Sequence, residues 1–343
     1  MMLRPRPAVV LAAAAALATS LPAAALAKGL KAPHLPKPRR GVQMKVGPVA
    51  VERGKEITEC SYFKMPGRKD MAVNKVHIRV SGGSHHTHLY RAQDPAMSLP
   101  DGAEACNFAL DFSVWQLVLA TQSVDFAWKL PKGVAFYFRH GEQLAAQTHF
   151  VDSGLLTTPR GKGWAIFNLY AMSPKRVTSY AGAFFGQDRD VDVPPHALNW
   201  TQTTQCAFPK PVKLLGLTGH YHYRGKTFVA STWDPNDPND PGVPLYRQDG
   251  YLDPPFRTFT AKGETPIEIS GIQWTCAYDN PDDVGYEFGP FTDANEHCNL
   301  FMFYYPSITP GSKQEDMTCV KNLHAVTGMP STTGLGETVV RDN

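Results

Sequence analysis

The chain is short of charge and of long apolar runs. Charged residues make up 19% of its 343 residues, and the formal net charge is only +3. No long basic tract follows the N-terminal region, so nucleic acid is not an expected partner. Beyond the N-terminus no stretch approaches the roughly 18 apolar residues of a membrane-spanning helix. None of the six cysteines forms a C-x-x-C pair, which argues against a zinc ribbon. No segment sustains the helical hydrophobic period, and no internal repeat is present.

What remains favours short strands. Hydrophobic residues reach 43%, enough to build about two domains of ordinary size. With 29 Pro, 28 Gly and 11% aromatics, turns should be frequent. Short apolar or alternating runs recur from about Val42, among them "KVHIRV", "GVAFYFRH", "KTFVAST" and "NLFMFYY". The expected class is all-β, a sandwich or jelly-roll architecture. A break at Ser173–Arg176 separates an N-terminal domain, 42–176, from a C-terminal one, 177–343. "DPNDPNDPG", Asp234 to Gly242, reads as a solvated turn-rich loop, although its aspartates also suit calcium.

The N-terminus reads as a signal peptide, residues 1–27. Arg4 and Arg6 precede a short apolar run broken by Pro22, and Ala25-Leu26-Ala27 is a peptidase site. The expected location is therefore secreted or periplasmic, with no membrane span left after cleavage. Residues 28–41, "KGLKAPHLPKPRRG", form an extended basic leader. In such a compartment an even number of cysteines implies three disulfides, with fifteen pairings open.

The histidines cluster. "HHTHLY" holds His85, His86 and His88, "AAQTHF" holds His149, "LTGHYHYRG" holds His220 and His222, and "EHCNLFMFYY" opens on His297. In a strand, His220 and His222 share a face, with Tyr221 and Tyr223 turned away. Regular geometry likewise pairs His86 with His88, whereas a bulge would bring His85 and His86 together; the residues alone leave both open. All-imidazole sites suit copper, zinc, iron or nickel, and copper fits an oxidising compartment.

These four motifs, in this order, resemble the copper type II, ascorbate-dependent monooxygenases, the family of peptidylglycine α-hydroxylating and dopamine β-monooxygenases. The resemblance spans roughly Thr58 to Cys319. It implies two tandem jelly rolls across a solvent-filled cleft, with two coppers per chain. His85, His86 and His149 would hold the electron-transfer copper. His220 and His222 would hold the catalytic one, with His297 in the place of the family's methionine. It further implies the disulfides Cys60–Cys106, Cys206–Cys319 and Cys276–Cys298. The expected reaction is hydroxylation of a C–H bond of a small molecule, with O2 and a reductant such as ascorbate. Of the groups that hold a peptide carboxylate in the family, only Asn299 is kept. Thr218 and Phe301 replace an arginine and a tyrosine, so a peptidylglycine substrate is not expected. The alternative is a non-hydroxylating copper-binding or electron-transfer protein. Gln147, two residues before His149, is a candidate for the path between the sites.

Overall fold

A computed structural model describes residues 33–106, 112–151, 161–260, 265–309, 311–321 and 337–342. The expected signal peptide and residues 28–32 of the leader lie outside them. Among the described residues the chain is all-β, interrupted only by a 3-10 turn at Pro174–Arg176. No helix there is long and apolar enough to cross a membrane.

The first half folds into two facing sheets. One contains β1 (Gly41–Ala50), β10 (Lys162–Met172), β3 (Met71–Val80) and β8 (Val134–Phe138), in that order, with β7 (Asp125–Lys129) also on β3. The other runs β5 (Gly102–Ala105), β2 (Glu56–Lys64), β9 (Gln143–Val151), β4 (Ser84–Ala92) and β6 (Trp115–Thr121). Successive strands such as β1, β2, β3 and β4 alternate between the sheets, as in a jelly roll. Just past the expected boundary at 176, β11 (Ser179–Tyr180) pairs in parallel with β8. The described part of the leader is tied down. Leu35 is buried, and Gln43, Asn168 and Arg79 donate to the carbonyls of Leu35, Pro36 and His34.

The second half repeats this plan with one economy. Its strand β14 (Trp200–His220) serves both layers. Residues 200–213 pair with β18 (Glu268–Tyr278), and residues 213–220 pair with β20 (Cys298–Tyr305). Between Ala207 and Val212 the register with β18 shifts. Pro209 and Pro211 sit in that gap, where they have no ladder N–H to give, and the strand turns the corner there. One layer is then β16 (Pro244–Asp249), β15 (Gly225–Thr232), β18 and β14. The other is β14, β20, β12 (Gly182–Asp188), β21 (Glu315–Lys321) and β22 (Glu337–Asp342), with β17 (Arg257–Thr258) beside β14. A two-stranded ribbon of β13 (Asp192–Val193) and β19 (Tyr286–Glu287) completes it. The order β12-β20-β14-β17 over β14-β18-β15-β16 matches β1-β10-β3-β8 over β2-β9-β4-β6, strand for strand. In the Asp234–Gly242 loop the aspartate side chains accept backbone N–H groups two residues on, from Asn236, Asn239 and Gly242. This is turn chemistry.

The halves meet along a buried, largely apolar seam. On β20, Leu300, Met302 and Tyr304 face the second sandwich's own core. The alternate residues Phe301 and Phe303 join the first half's apolar cluster, together with Phe185 and Leu215. Phe303 packs against Trp128 and Phe136, and Phe256 against Phe126 and Trp128. A strand buried on both faces reads as an unbroken apolar run, which is what "NLFMFYY" is. Beside the aromatics, Arg91 is buried between Glu142 and Asp316, at 3.7 and 3.2 Å. Among the described residues the two expected histidine groups lie close together, with the His85 ring 4.9 Å and the His86 ring 5.3 Å from that of His220.

All three disulfides form as expected: Cys60–Cys106, Cys206–Cys319 and Cys276–Cys298. Each closes within one half, and they fit an oxidising compartment.

Candidate metal centre

Seven histidines converge where the seam reaches the ends of β4, β9 and β14. From the first half come His85, His86 and His88 on β4 and His149 on β9. From the second come His220 at the end of β14, His222 two residues on, and His297 before β20.

Local strand geometry sets each direction. The β4–β9 register shifts between Ser84 and His86, so His85 is the extra residue of a bulge. Past it the alternation is regular. His86 and His88 share a face with rings stacked 4.3 Å apart, and His86 lies opposite His149. The bulged His85 turns to the other half, with its ring centre 4.9 Å from His220 and 5.6 Å from His222. On the other side, Tyr221 points into the second core, where its hydroxyl donates to the Gly250 carbonyl at 2.7 Å. Gly225 must be glycine here, because a Cβ would overlap the Tyr221 ring. Tyr223 is exposed, and the rings of His220 and His222 lie 5.4 Å apart.

The ligating atoms of His85, His220 and His222 all lie within 4.8 Å of one another. A tetrahedral ion holds imidazole nitrogens about 2 Å from itself, so atoms this close together could share one. This group takes one residue from the first expected ligand set and two from the second. His85 stands with His220 and His222, although His86 and His149 remain close, at 5.4 and 5.3 Å ring to ring. His297 lies 4.1 Å from His222 and 5.4 Å from His220. The two expected sets are one cluster.

Several residues that sequence reading did not single out hold these rings. His220 donates from Nδ1 to Gln122 Oε1 at 2.8 Å, while Gln122 Nε2 donates to the Gly219 carbonyl at 2.7 Å. His222 donates from Nδ1 to the Asn295 carbonyl at 3.1 Å. Both contacts leave Nε2 as the lone-pair nitrogen. The carboxylate of Glu56 meets His149 Nε2 at 3.0 Å and accepts the Thr292 hydroxyl at 2.9 Å, bridging the halves. Burial alone would raise Glu56, but these contacts outweigh it and hold the carboxyl below its usual range. Glu296 accepts the backbone N–H groups of His222 and Arg224, at 3.0 and 2.7 Å, and burial pushes it up to about 7. The carbonyl of His297 accepts the Tyr278 hydroxyl, and its neighbour Cys298 is fixed by its disulfide to Cys276.

Burial, and then the neighbouring imidazoles, hold His85, His86, His220, His222 and His297 well below the usual imidazole range. Burial takes His88 to about 3. The rings are thus neutral at physiological pH. His85 Nε2, His86 Nδ1, His88 Nε2, His222 Nε2 and His297 Nδ1 are buried without a hydrogen-bond partner. Such atoms normally cost about 1–3 kcal/mol each, and two of them, His85 Nε2 and His222 Nε2, belong to the triad that could hold a metal ion. Asn299 is buried nearby with Oδ1 unpartnered, and Thr218 is buried in the seam, within 3.5 Å of Gln122.

No family model matches the chain, and no curated protein matches it. Solved structures similar to part of it include PBCV-1 VP54, fitted into a reconstruction of the virophage Sputnik. That likeness is 7% identical, covers 76% of this chain and 92% of the other, and has a TM-score of 0.24. The PBSX exported protein XepA is 9% identical over 77% and 86%, at 0.22. Allantoicase is 11% identical over 70% and 76%, at 0.20. Scores this low carry no argument about fold or function.

Proposed function

We propose that the protein is a secreted copper monooxygenase of the type II, ascorbate-dependent kind, acting on a small molecule other than a glycine-extended peptide. The observation that carries this reading is the neutral triad His85, His220 and His222, whose ligating atoms lie within 4.8 Å of one another. An all-imidazole donor set suits a late first-row dication, and among these copper binds most tightly. Three disulfides favour an oxidising compartment, where copper is the redox metal expected. Copper bound there would supply one-electron exchange with a reductant such as ascorbate and the activation of O2 for attack on a C–H bond.

The chain's own residues do the rest. Gln122 and the Asn295 carbonyl fix the tautomers of His220 and His222, so their Nε2 atoms face inward. Phe301, packed on His88 and His220, keeps water from the inner side. His85 and His297 are only half-buried and mark the open side, where reductant and substrate would approach. Thr218 offers no guanidinium for a peptide carboxylate, which supports the exclusion of peptidylglycine.

One observation favours a second reading, a copper-binding or electron-transfer protein without hydroxylase activity. The cavity beside the cluster measures only about 30 Å3, too small for an organic substrate. Copper loading followed by oxygen-electrode measurements with ascorbate separates the two. Oxygen uptake that rises with a candidate substrate, with stoichiometric hydroxylated product, supports the monooxygenase. Reversible copper reduction without substrate-dependent uptake across a broad panel supports the second reading. A chain that binds no copper defeats both.

A further inference from the structure

The first sandwich is not filled at the edge where β1 faces β2 and β5. A Cβ on Gly163 of β10 would meet the Phe150 ring of β9, so the side of β9 that carries Phe150 faces the opposite sheet. Strand register carries that side to the neighbouring strands. Phe150 lies opposite Ile57, Thr148 opposite Glu59 and Ala146 opposite Ser61, so Glu59 and Ser61 point between the sheets. In the other sheet Gly163 lies opposite Val49, Ala165 opposite Val46 and Phe167 opposite Met44, so these β1 residues point back at them. On β5 the residues beside Glu59 and Ser61 are Ala105 and Ala103, too small to fill the space. The result is a cleft of about 610 Å3, whose lining includes Met44, Val46, Glu59, Ser61, Phe63 and Ala103. Small-molecule sites typically measure about 300–1,000 Å3.

Glu59 is the group that selects a ligand. A carboxylate on the inward face of a sandwich needs a donor. The Ser61 hydroxyl is 3.5 Å away, and among the described residues no Lys, Arg or His forms an ion pair with Glu59. Burial raises its pKa, opposed only by the Ser61 hydroxyl. The two lysines of the cleft are directed elsewhere. Lys64 donates to the Met97 carbonyl at 2.7 Å, and Lys45 is exposed on the outer side of β1, between the inward Met44 and Val46. The exposed Asp101 adds a second carboxylate at the rim. Apolar walls thus surround one anionic group that lacks a cation. We propose that this cleft binds a small organic amine, with its ammonium group on Glu59 and the Ser61 hydroxyl and its apolar body between Met44, Val46 and Phe63. A protonated amine gives the carboxylate a charge-assisted hydrogen bond, stronger than a neutral one. The site is separate from the histidine cluster. Thr58 and Cys60, the alternate residues of β2, lie opposite His149 and Gln147 on the other side of the sheet. It therefore does not rest on the copper reading.

The test compares hexylamine, hexanoate and hexanol as probes of the full chain at pH 7.5, without added copper, by titration calorimetry and saturation-transfer NMR. Hexylamine should bind about 10-fold or more tightly than either of the others. Glu59→Gln keeps the shape and removes the charge, and should cost hexylamine a similar factor. Ala103→Trp, on the exposed edge strand β5, should fill the cleft and abolish binding. Equal binding of the three probes would make the cleft a plain apolar groove and overturn the proposal. Preference for hexanoate would hand recognition to the lysines and overturn it as well. So would hexylamine binding that both variants retain, or no hexylamine binding by wild type. If the variants fail to fold, wild-type crystals soaked in 4-bromobenzylamine and measured at the bromine edge decide: a peak between Val46 and Phe63 supports the site, and its absence overturns it. None of these results bears on the triad, which copper titration tests by itself.

Discussion

Acidifying the metal-free protein should unfold it, through the histidines themselves. Six of the clustered imidazoles, His85, His86, His88, His220, His222 and His297, have folded-state pKa values pushed down. In the unfolded chain each titrates near 6.5. The unfolded state then binds more protons, so stability is full above about pH 6.5 and falls as pH drops below it. As pH falls below 6.5, each imidazole that stays neutral when folded costs on the order of 1 kcal/mol per pH unit, so the six together cost several kcal/mol by pH 5.5. Two buried acids act the other way. Glu296 is raised to about 7 and Asp316 to about 6, both by burial, so they take up protons when folded. Between pH 7.5 and 5.5 they return roughly 2–3 kcal/mol. Six imidazoles outweigh two acids, so the net effect is a loss of a few kcal/mol, a large part of the stability of an ordinary domain. The assay is guanidinium unfolding of the metal-free, disulfide-intact chain at pH 7.5, 6.5 and 5.5, followed by tryptophan fluorescence. The midpoint should fall steeply over the last unit, and less steeply in His88→Gln. A midpoint that stays flat from pH 7.5 to 5.5 would refute the claim that these rings are buried and neutral.

Further tests address the supporting contacts. Gln122→Ala removes the acceptor that fixes His220 and the donor to the Gly219 carbonyl, so copper affinity by titration should drop about 10-fold or more. Glu56→Gln should weaken the tie between His149 and Thr292 and cost roughly 1–3 kcal/mol in denaturant unfolding, with most of the effect in the slope of copper binding against pH. The double substitution Cys276→Ser, Cys298→Ser frees the backbone next to His297 and should cost about 2–5 kcal/mol in thermal or chemical unfolding. Glycine-extended peptides should show no hydroxylation by mass spectrometry, since Thr218 is buried in the seam and carries no charge.

Much of the fold was legible because its signals are local. Alternation and turn residues gave an all-β chain, whereas the corner of β14 at Pro209 and Pro211 was not read from the sequence. The period of two in a strand also gave the common side of His220 and His222, with Tyr221 in the core. The expected boundary near 176 falls just before the short strand β11. The two residues of β11 carry almost no pattern of their own, and only a parallel pairing with β8 claims them for the first half.

The site was legible residue by residue and not as a grouping. Each histidine could be placed on a strand, but which histidines meet is set by how the two sandwiches dock. Docking is written in Phe301 and Phe303, which the sequence presents only as part of an apolar run. An apolar run says that both faces are buried and does not say against what. The same ambiguity held at "HHTH". Regular alternation joins His86 to His88, and a bulge frees His85; the structure does both at once, which a choice between the two readings could not anticipate. The consequence is physical as well as topological. Ligands drawn from both halves make any ion at the triad a cross-link between sandwiches, so metal binding and the integrity of the seam become one equilibrium. The apolar contacts of the seam hold the rings neutral and close together, and an ion that binds them in turn opposes the acid-driven opening of that seam.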